Sequence, residues 1–171
     1  MNLNIYQLLK ASLMEPKKQA AVRIMPIGKI MRFIFLFILV LTIAAFIEFI
    51  TGLNNVSGDL EGLLVYIEEI EWLLYPLAFI LLFVSTTLYH FIKISLFAWI
   101  GMVILKARKR RGEYRHLWRT AALSVTIPTI LSFGIGFFTD NAWLPLLISL
   151  LTLVYLYMAV KYYPKMPPQR K

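Results

Sequence analysis

Residues 73–105 are thirty-three in a row whose only readily charged side chains are His90 and Lys93, and Lys106, Arg108, Lys109, Arg110 and Arg111 follow at once. A run of eighteen or more apolar residues signals a membrane span, because a helix apolar on every face has none to offer water. The run is longer than the roughly 20 residues of one upright crossing. It is too short for two, since halves of about 16 residues could not each span a core of roughly 30 Å and also turn around.

The charges decide how it crosses. With a single crossing, six Lys and Arg precede residue 33, seven lie between 106 and 119, and four lie in the tail, all on one side. The only other base is Lys93. The opposite side holds Asp59, Glu61, Glu68, Glu69, Glu71 and Asp140 and no base. The positive-inside rule then gives a multi-pass plasma-membrane protein with both termini cytoplasmic. The expected fold is an all-α membrane protein, a single-domain four-helix transmembrane bundle. Its spans are expected near 33–50, 73–105, 117–138 and 144–160, the second unusually long. At about 50 Å the long span exceeds the hydrocarbon core by some 20 Å, so it is expected to bend near Pro76, to overhang on the basic side, or both.

Composition agrees: 60% of the 171 residues are hydrophobic and 16% charged, with a mean hydropathy of +0.72, which leaves no room for a separate soluble catalytic domain. The net charge of +9 sits beside apolar segments. It therefore points to anionic lipid head groups rather than nucleic acid. Cysteine is absent, which excludes disulfides and thiolate metal sites.

The leader, residues 1–32, is too long and mixed before its first apolar run to be a cleavable signal. From Leu3 to Met14 its apolar residues form a broad face, expected as a short amphipathic interfacial helix. Pro16 opens a second short helix to about Ile24, and Pro26 and Gly28 turn into the first span, which Thr51 and Gly52 close. The acid-rich segment 53–72 separates onto two faces at helical spacing, as a short amphipathic helix at the outer surface would. Residues 139–141 form a turn, and Tyr155, Tyr157, Tyr162 and Tyr163 stand where an interfacial aromatic belt would.

Glu48, His90 and Lys93 are the ionisable side chains well inside apolar segments. Counting inwards at 1.5 Å per residue places all three at similar depth, with His90 and Lys93 on one helix face. Such residues usually face the bundle interior and pair. Two readings stand: an ion or proton relay, or a structural Glu48–Lys93 pair. Lys106, Arg108, Lys109, Arg110, Arg111 and Arg115 form either a topology anchor or a patch for acidic lipids or a partner. Pro128, among Ser124, Thr126, Thr129 and Ser132, is a candidate hinge or a fixed kink. No metalloprotease His-Glu-x-x-His and no phosphate-cradling glycine loop occurs, and no catalytic residue, metal or cofactor is expected. Asn55-Val56-Ser57 fits a glycosylation sequon that has meaning only in a eukaryotic secretory route.

Two clusters of residues carry a family resemblance. Ser12-Leu13, Pro16-Lys17, Arg23 and Ile27-Gly28-Lys29 before an apolar span, and the segment 94–128 with Tyr114-Arg115, Leu117-Trp118-Arg119 and Ile127-Pro128-Thr129, resemble a family of small membrane proteins of Gram-positive bacteria. It is the domain of unknown function numbered eleven-eighty-nine, with some members labelled maltodextrin-utilisation proteins, and it looks related to the Yip-type helical bundles. Met14 departs from the aromatic residue usual after Leu13. The resemblance implies a non-enzymatic accessory, scaffold or assembly subunit of a bacterial membrane complex, such as a transporter or stress-response module, with another membrane protein as partner. The alternative is a small ion- or proton-coupled carrier or channel working through Glu48, His90 and Lys93.

Overall fold

A computed structural model describes residues 7–9, 16–57, 63–136 and 143–166 of the chain. These residues are helical, with no named strand among them. Helix α1 (Pro16–Ala21) runs into a 3-10 turn (Val22–Ile24). Then come α2 (Ile27–Ser57), α3 (Leu63–Ala107), α4 (Tyr114–Ser124), α5 (Thr126–Gly136) and α6 (Trp143–Val160). Long apolar sequences fold this way because a helix satisfies its own backbone without help from solvent. Among the described residues, three segments are long and apolar enough to cross a membrane: Ile27–Leu53, Glu69–Ala107 and Trp143–Val160.

Several boundaries differ from the sequence expectation. The first membrane-length helix, α2, does not close at Thr51 and Gly52 but continues to Ser57, with the Thr51 hydroxyl donating to the carbonyls of Ile47 and Glu48 at 3.1 and 2.9 Å within it. The segment before residue 73 is not a separate helix. It is the start of α3, which runs for 45 residues, about 68 Å, with Pro76 inside it. No glycine or proline between 63 and 75 gives the helix a reason to stop. Of the expected helix from Leu3 to Met14, only Gln7–Leu9 falls within the described residues, and is helical. The turn at 139–141 lies outside them.

The expected span 117–138 is not one helix but two 11-residue helices, α4 and α5, meeting at Val125. Val125 itself keeps helical dihedrals. Pro128 has no N–H to donate to the carbonyl four residues back, and its ring crowds that carbonyl. Thr120, Ser124, Thr126 and Thr129 each donate to the carbonyl four residues earlier, at 3.2, 3.0, 3.1 and 2.8 Å, a pattern that bends helices. Pro128 itself is buried.

The chain divides into two compact units, one of residues 34–91 and the other of Met1–Phe33 with Ile92–Lys171. In the first, the rest of α2 pairs with the N-terminal part of α3 through rings: Phe46 meets Tyr75 and Phe79 edge-on at 6.3 and 5.4 Å, and Phe37 meets His90 at 5.3 Å. In the second, α6 buries Ile148, Thr152, Leu156, Ala159 and Val160, one face at helical spacing. The opposite face exposes Leu147, Leu150, Val154 and Met158. A helix apolar on both its packed and its open face suits lipid rather than water.

Candidate functional site

The most densely bonded region is the basic end of the second unit, and it begins with how α3 stops. Lys109 adopts a left-handed φ of 52°. Its N–H donates to the Lys106 carbonyl and that of Arg110 to the Leu105 carbonyl, both at 3.0 Å. This is a Schellman cap, which satisfies carbonyls that the helix end would otherwise orphan. The chain then pairs with the tail. Arg111 N–H donates to the Pro164 carbonyl at 2.8 Å and Met166 N–H to the Lys109 carbonyl at 3.1 Å, around an antiparallel bridge of Arg110 and Lys165.

Glu113 caps α4, its N–H donating to Nδ1 of His116 at 3.2 Å, a histidine variant of the capping box. Only an unprotonated Nδ1 can accept that bond. Burial, ahead of all other causes, pulls the His116 pKa below its usual value; Arg115, Arg119 and Arg23 add to this, while Glu113 opposes it.

Tyr163 anchors the region. At 1% exposed it is core, and not part of the aromatic belt expected for it, because its hydroxyl has partners inside. It shares a 2.7 Å hydrogen bond with the Thr120 hydroxyl and donates to the His116 carbonyl at 3.2 Å. Its own carbonyl accepts from Arg110 Nη1 at 2.7 Å. The Arg23 guanidinium lies 5.0 Å from its ring centroid, and burial raises the phenol pKa. Ala20, Leu105, Leu117 and Val160 complete the core around the ring.

The leader is bonded into the same place. Ser124 donates to the Gln19 side-chain oxygen at 3.2 Å, and Arg119 Nη1 to the Arg23 carbonyl at 2.8 Å. Arg23 and Arg119 therefore meet, although 96 residues separate them in the chain. Trp118 Nε1 and the Tyr114 hydroxyl donate to the side chain and carbonyl of Ser95 at 3.3 and 3.4 Å.

The six basic residues singled out from sequence have different surroundings. Arg110 is tied to Tyr163, and Arg115 is ion-paired with Glu113. Lys106, Lys109 and Arg111 are exposed. The Arg108 guanidinium lies over Tyr157, 3.8 Å from the ring centroid, and both line a cleft of about 240 Å³ with Met158, Lys161 and Tyr162.

Glu48 and His90, in the unit of residues 34–91, have separate surroundings. Glu48 is exposed, on an open groove of about 550 Å³ with Ala45, Phe49 and Leu82. His90 is 2% exposed and packs on Phe37, eleven residues or about 16 Å along α2 from Glu48. Within their unit, therefore, Glu48 and His90 do not share a depth. Counting inwards from Arg32 and from Leu105 misjudged this because the two are not level: Phe37, five residues from Arg32, packs on His90, fifteen from Leu105. Lys93, buried in the other unit, donates to the Thr129 hydroxyl at 3.4 Å.

Sequence reasoning missed Gln19, Thr120 and Tyr163 as a cluster, because hydroxyls and an amide carry no spacing signature across the chain. Arg23 and Arg119 stood in the two motifs, which was the available signal.

Residues 54–160 match the model of a family described as protein of unknown function, DUF1189. No curated protein and no solved structure matches the chain.

Proposed function

The chain belongs to the DUF1189 family of proteins of unknown function, and from that premise we propose that it is a non-enzymatic accessory or assembly subunit of a bacterial membrane complex, such as a transporter or a stress-response module. It crosses the plasma membrane four times with both termini in the cytoplasm. The third crossing is the kinked pair α4 and α5. Residues 117–136 measure about 30 Å along a helix, enough for a core of roughly 30 Å. The pairing of the basic link 109–111 with the tail, and of Arg119 with Arg23, supports a common side for three basic segments.

The observation that carries the role is one turn of α3. Glu69, Ile70, Glu71, Trp72 and Leu73 are all exposed, Trp72 at 76%. Of the three membrane-length helices α3 also buries least within the chain, 17% of its most apolar window against 28% in the other two. A helix that carries Trp and Ile beside two acids on open faces offers a partner both apolar anchors and charge. The carrier reading draws less support, because Glu48 lies about 16 Å along α2 from the residue that packs on His90.

Affinity purification of the full chain from native membranes in mild detergent tests the role. A membrane protein recovered in fixed stoichiometry, and lost from Ile70→Ser and Trp72→Ser variants that fold normally, is the expected result. A chain recovered alone, or a transport activity abolished by His90→Gln, refutes it. Single cysteines in place of Ser57, Gly112 and Asn141 should label from outside, inside and outside. Outside labelling at position 112 overturns the topology.

A further inference from the structure

The cleft between the end of α3 and the end of α6 combines three features. The first is charge of one sign. Arg108 and Lys161 line it, no acidic residue does, and neither is ion-paired within the described residues. The second is the pose of Arg108. Its guanidinium carbon lies over Tyr157, 3.8 Å from the ring centroid, a cation–π contact that holds the charge against the cleft wall, and a guanidinium is the group whose donors match a phosphate or carboxylate. The third is what runs away from the cleft. Leu147, Leu150, Leu151, Val154 and Met158 are exposed on α6, at the three- and four-residue spacing of one helix face. They form an apolar track of about 17 Å from residue 147 to residue 158 that ends at the two cations.

We propose that this cleft is a binding site for a single anionic phospholipid, its phosphate held between Arg108 and Lys161 against Tyr157 and Tyr162 and an acyl chain lying along the α6 track. A soluble phosphate ligand would have no use for the track, and a purely apolar ligand none for the cations. A zwitterionic lipid offers the same phosphate, but its ammonium group would enter a cleft that holds no acid. The inference narrows the diffuse attraction of a basic surface for acidic head groups to two named cations, and it rests on the membrane reading proposed above. Its test is read in micelles, without any orientation, so its failure leaves the labelling result untouched.

The full-length protein in detergent is mixed with palmitoyl-oleoyl phosphatidylglycerol or phosphatidylcholine, and bound lipid is counted by native mass spectrometry. One phosphatidylglycerol should be retained under activation that strips phosphatidylcholine. Arg108→Gln with Lys161→Gln should weaken that retention at least about 10-fold, the scale of losing hydrogen bonds to a charged group. Lys17→Gln with Lys165→Gln, equal in charge and outside the cleft, should not weaken it. Tyr157→Leu, which keeps both charges, should lower retention by freeing Arg108, and gives a second reading should the double variant not fold. Equal retention of the two lipids, equal loss in the control pair, an unchanged Tyr157→Leu, or displacement by millimolar inorganic phosphate each overturns the proposal, the last by showing a site for free phosphate.

Discussion

Gly112 sits where the link between α3 and α4 passes over Tyr163, and replacing it with alanine tests whether that crossing is as rigid as its bonds imply. A Cβ there would stand 3.1 Å from Cδ1 and Cε1 of Tyr163 and 3.2 Å from a Leu105 methyl. The leucine can rotate. The ring is held at one end by the Thr120 hydroxyl and at the other by Arg110 on the Tyr163 carbonyl. Overpacking of this kind costs about 1–3 kcal/mol, and the entropy gained by replacing glycine returns about 0.4–1 kcal/mol, so Gly112→Ala should lose about 1–2 kcal/mol. Gly52 is the control, since nothing stands within 4 Å of a Cβ there and it lies inside α2. Gly52→Ala should gain up to about 1 kcal/mol from helix propensity alone. Denaturant unfolding in detergent, followed by circular dichroism and by tryptophan fluorescence, reads both. Loss at Gly112 should shrink in a Tyr163→Ala background, because the clash has gone. A Gly112→Ala protein as stable as the parent would refute the claim that Tyr163 cannot move.

Tyr163→Phe removes the hydroxyl shared with Thr120 and donated to the His116 carbonyl and should cost about 1–2 kcal/mol in the same unfolding assay. Lys109→Gly should stabilise by about 1 kcal/mol, since glycine adopts the left-handed φ of 52° without steric cost; a destabilised variant would show that the lysine side chain contributes more than the strain. The lowered His116 pKa gives stability a pH dependence. Between the depressed folded value and about 6.5 the unfolded chain binds the extra proton, so the contribution is complete above about 6.5 and is lost as pH falls through the folded value. Thermal unfolding at pH 7.5 and 5.5 should differ in the parent and converge in His116→Gln, whereas an unchanged difference would assign the effect elsewhere.

How much of this was legible beforehand depends on what each residue had to contact. The long helix was evident at residues 73–105, because only apolar length is needed to specify a membrane helix. Its continuation back to Leu63 was read as a separate short amphipathic helix, because Glu68, Glu69 and Glu71 set that segment apart in composition although nothing between 63 and 75 breaks a helix. An interruption of the span was foreshadowed by Pro128, but it appears at Val125, within reach of the hydroxyls that bond back to the helix. Arg108 was visible as a charge, while its ring partner Tyr157, 49 positions on, was not. Tyr163 was misread for a related reason: a tyrosine near a helix end has the same sequence context whether its hydroxyl meets water or Thr120.

These errors share a physical origin. Between helices in lipid the hydrophobic effect distinguishes little, since an acyl chain is as apolar as leucine, and the exposed faces of α2, α3 and α6 therefore carry no information about which helix pairs with which. Position has to be specified by other means. In the second unit those are the Gln19–Ser124, Thr120–Tyr163 and Arg119–Arg23 hydrogen bonds and the tail paired with the link at Arg111 and Pro164. They lie at the basic end and tie the leader, α4 and the tail together. Net hydrogen bonds of about 1 kcal/mol each are weak singly, but a register wrong by one residue would lose several at once, whereas the apolar faces would lose almost nothing. In the proposed topology the basic residues thus act at two levels: their charge favours one orientation across the membrane, and Arg110 and Arg119 also bond the leader, the link and the tail to one another.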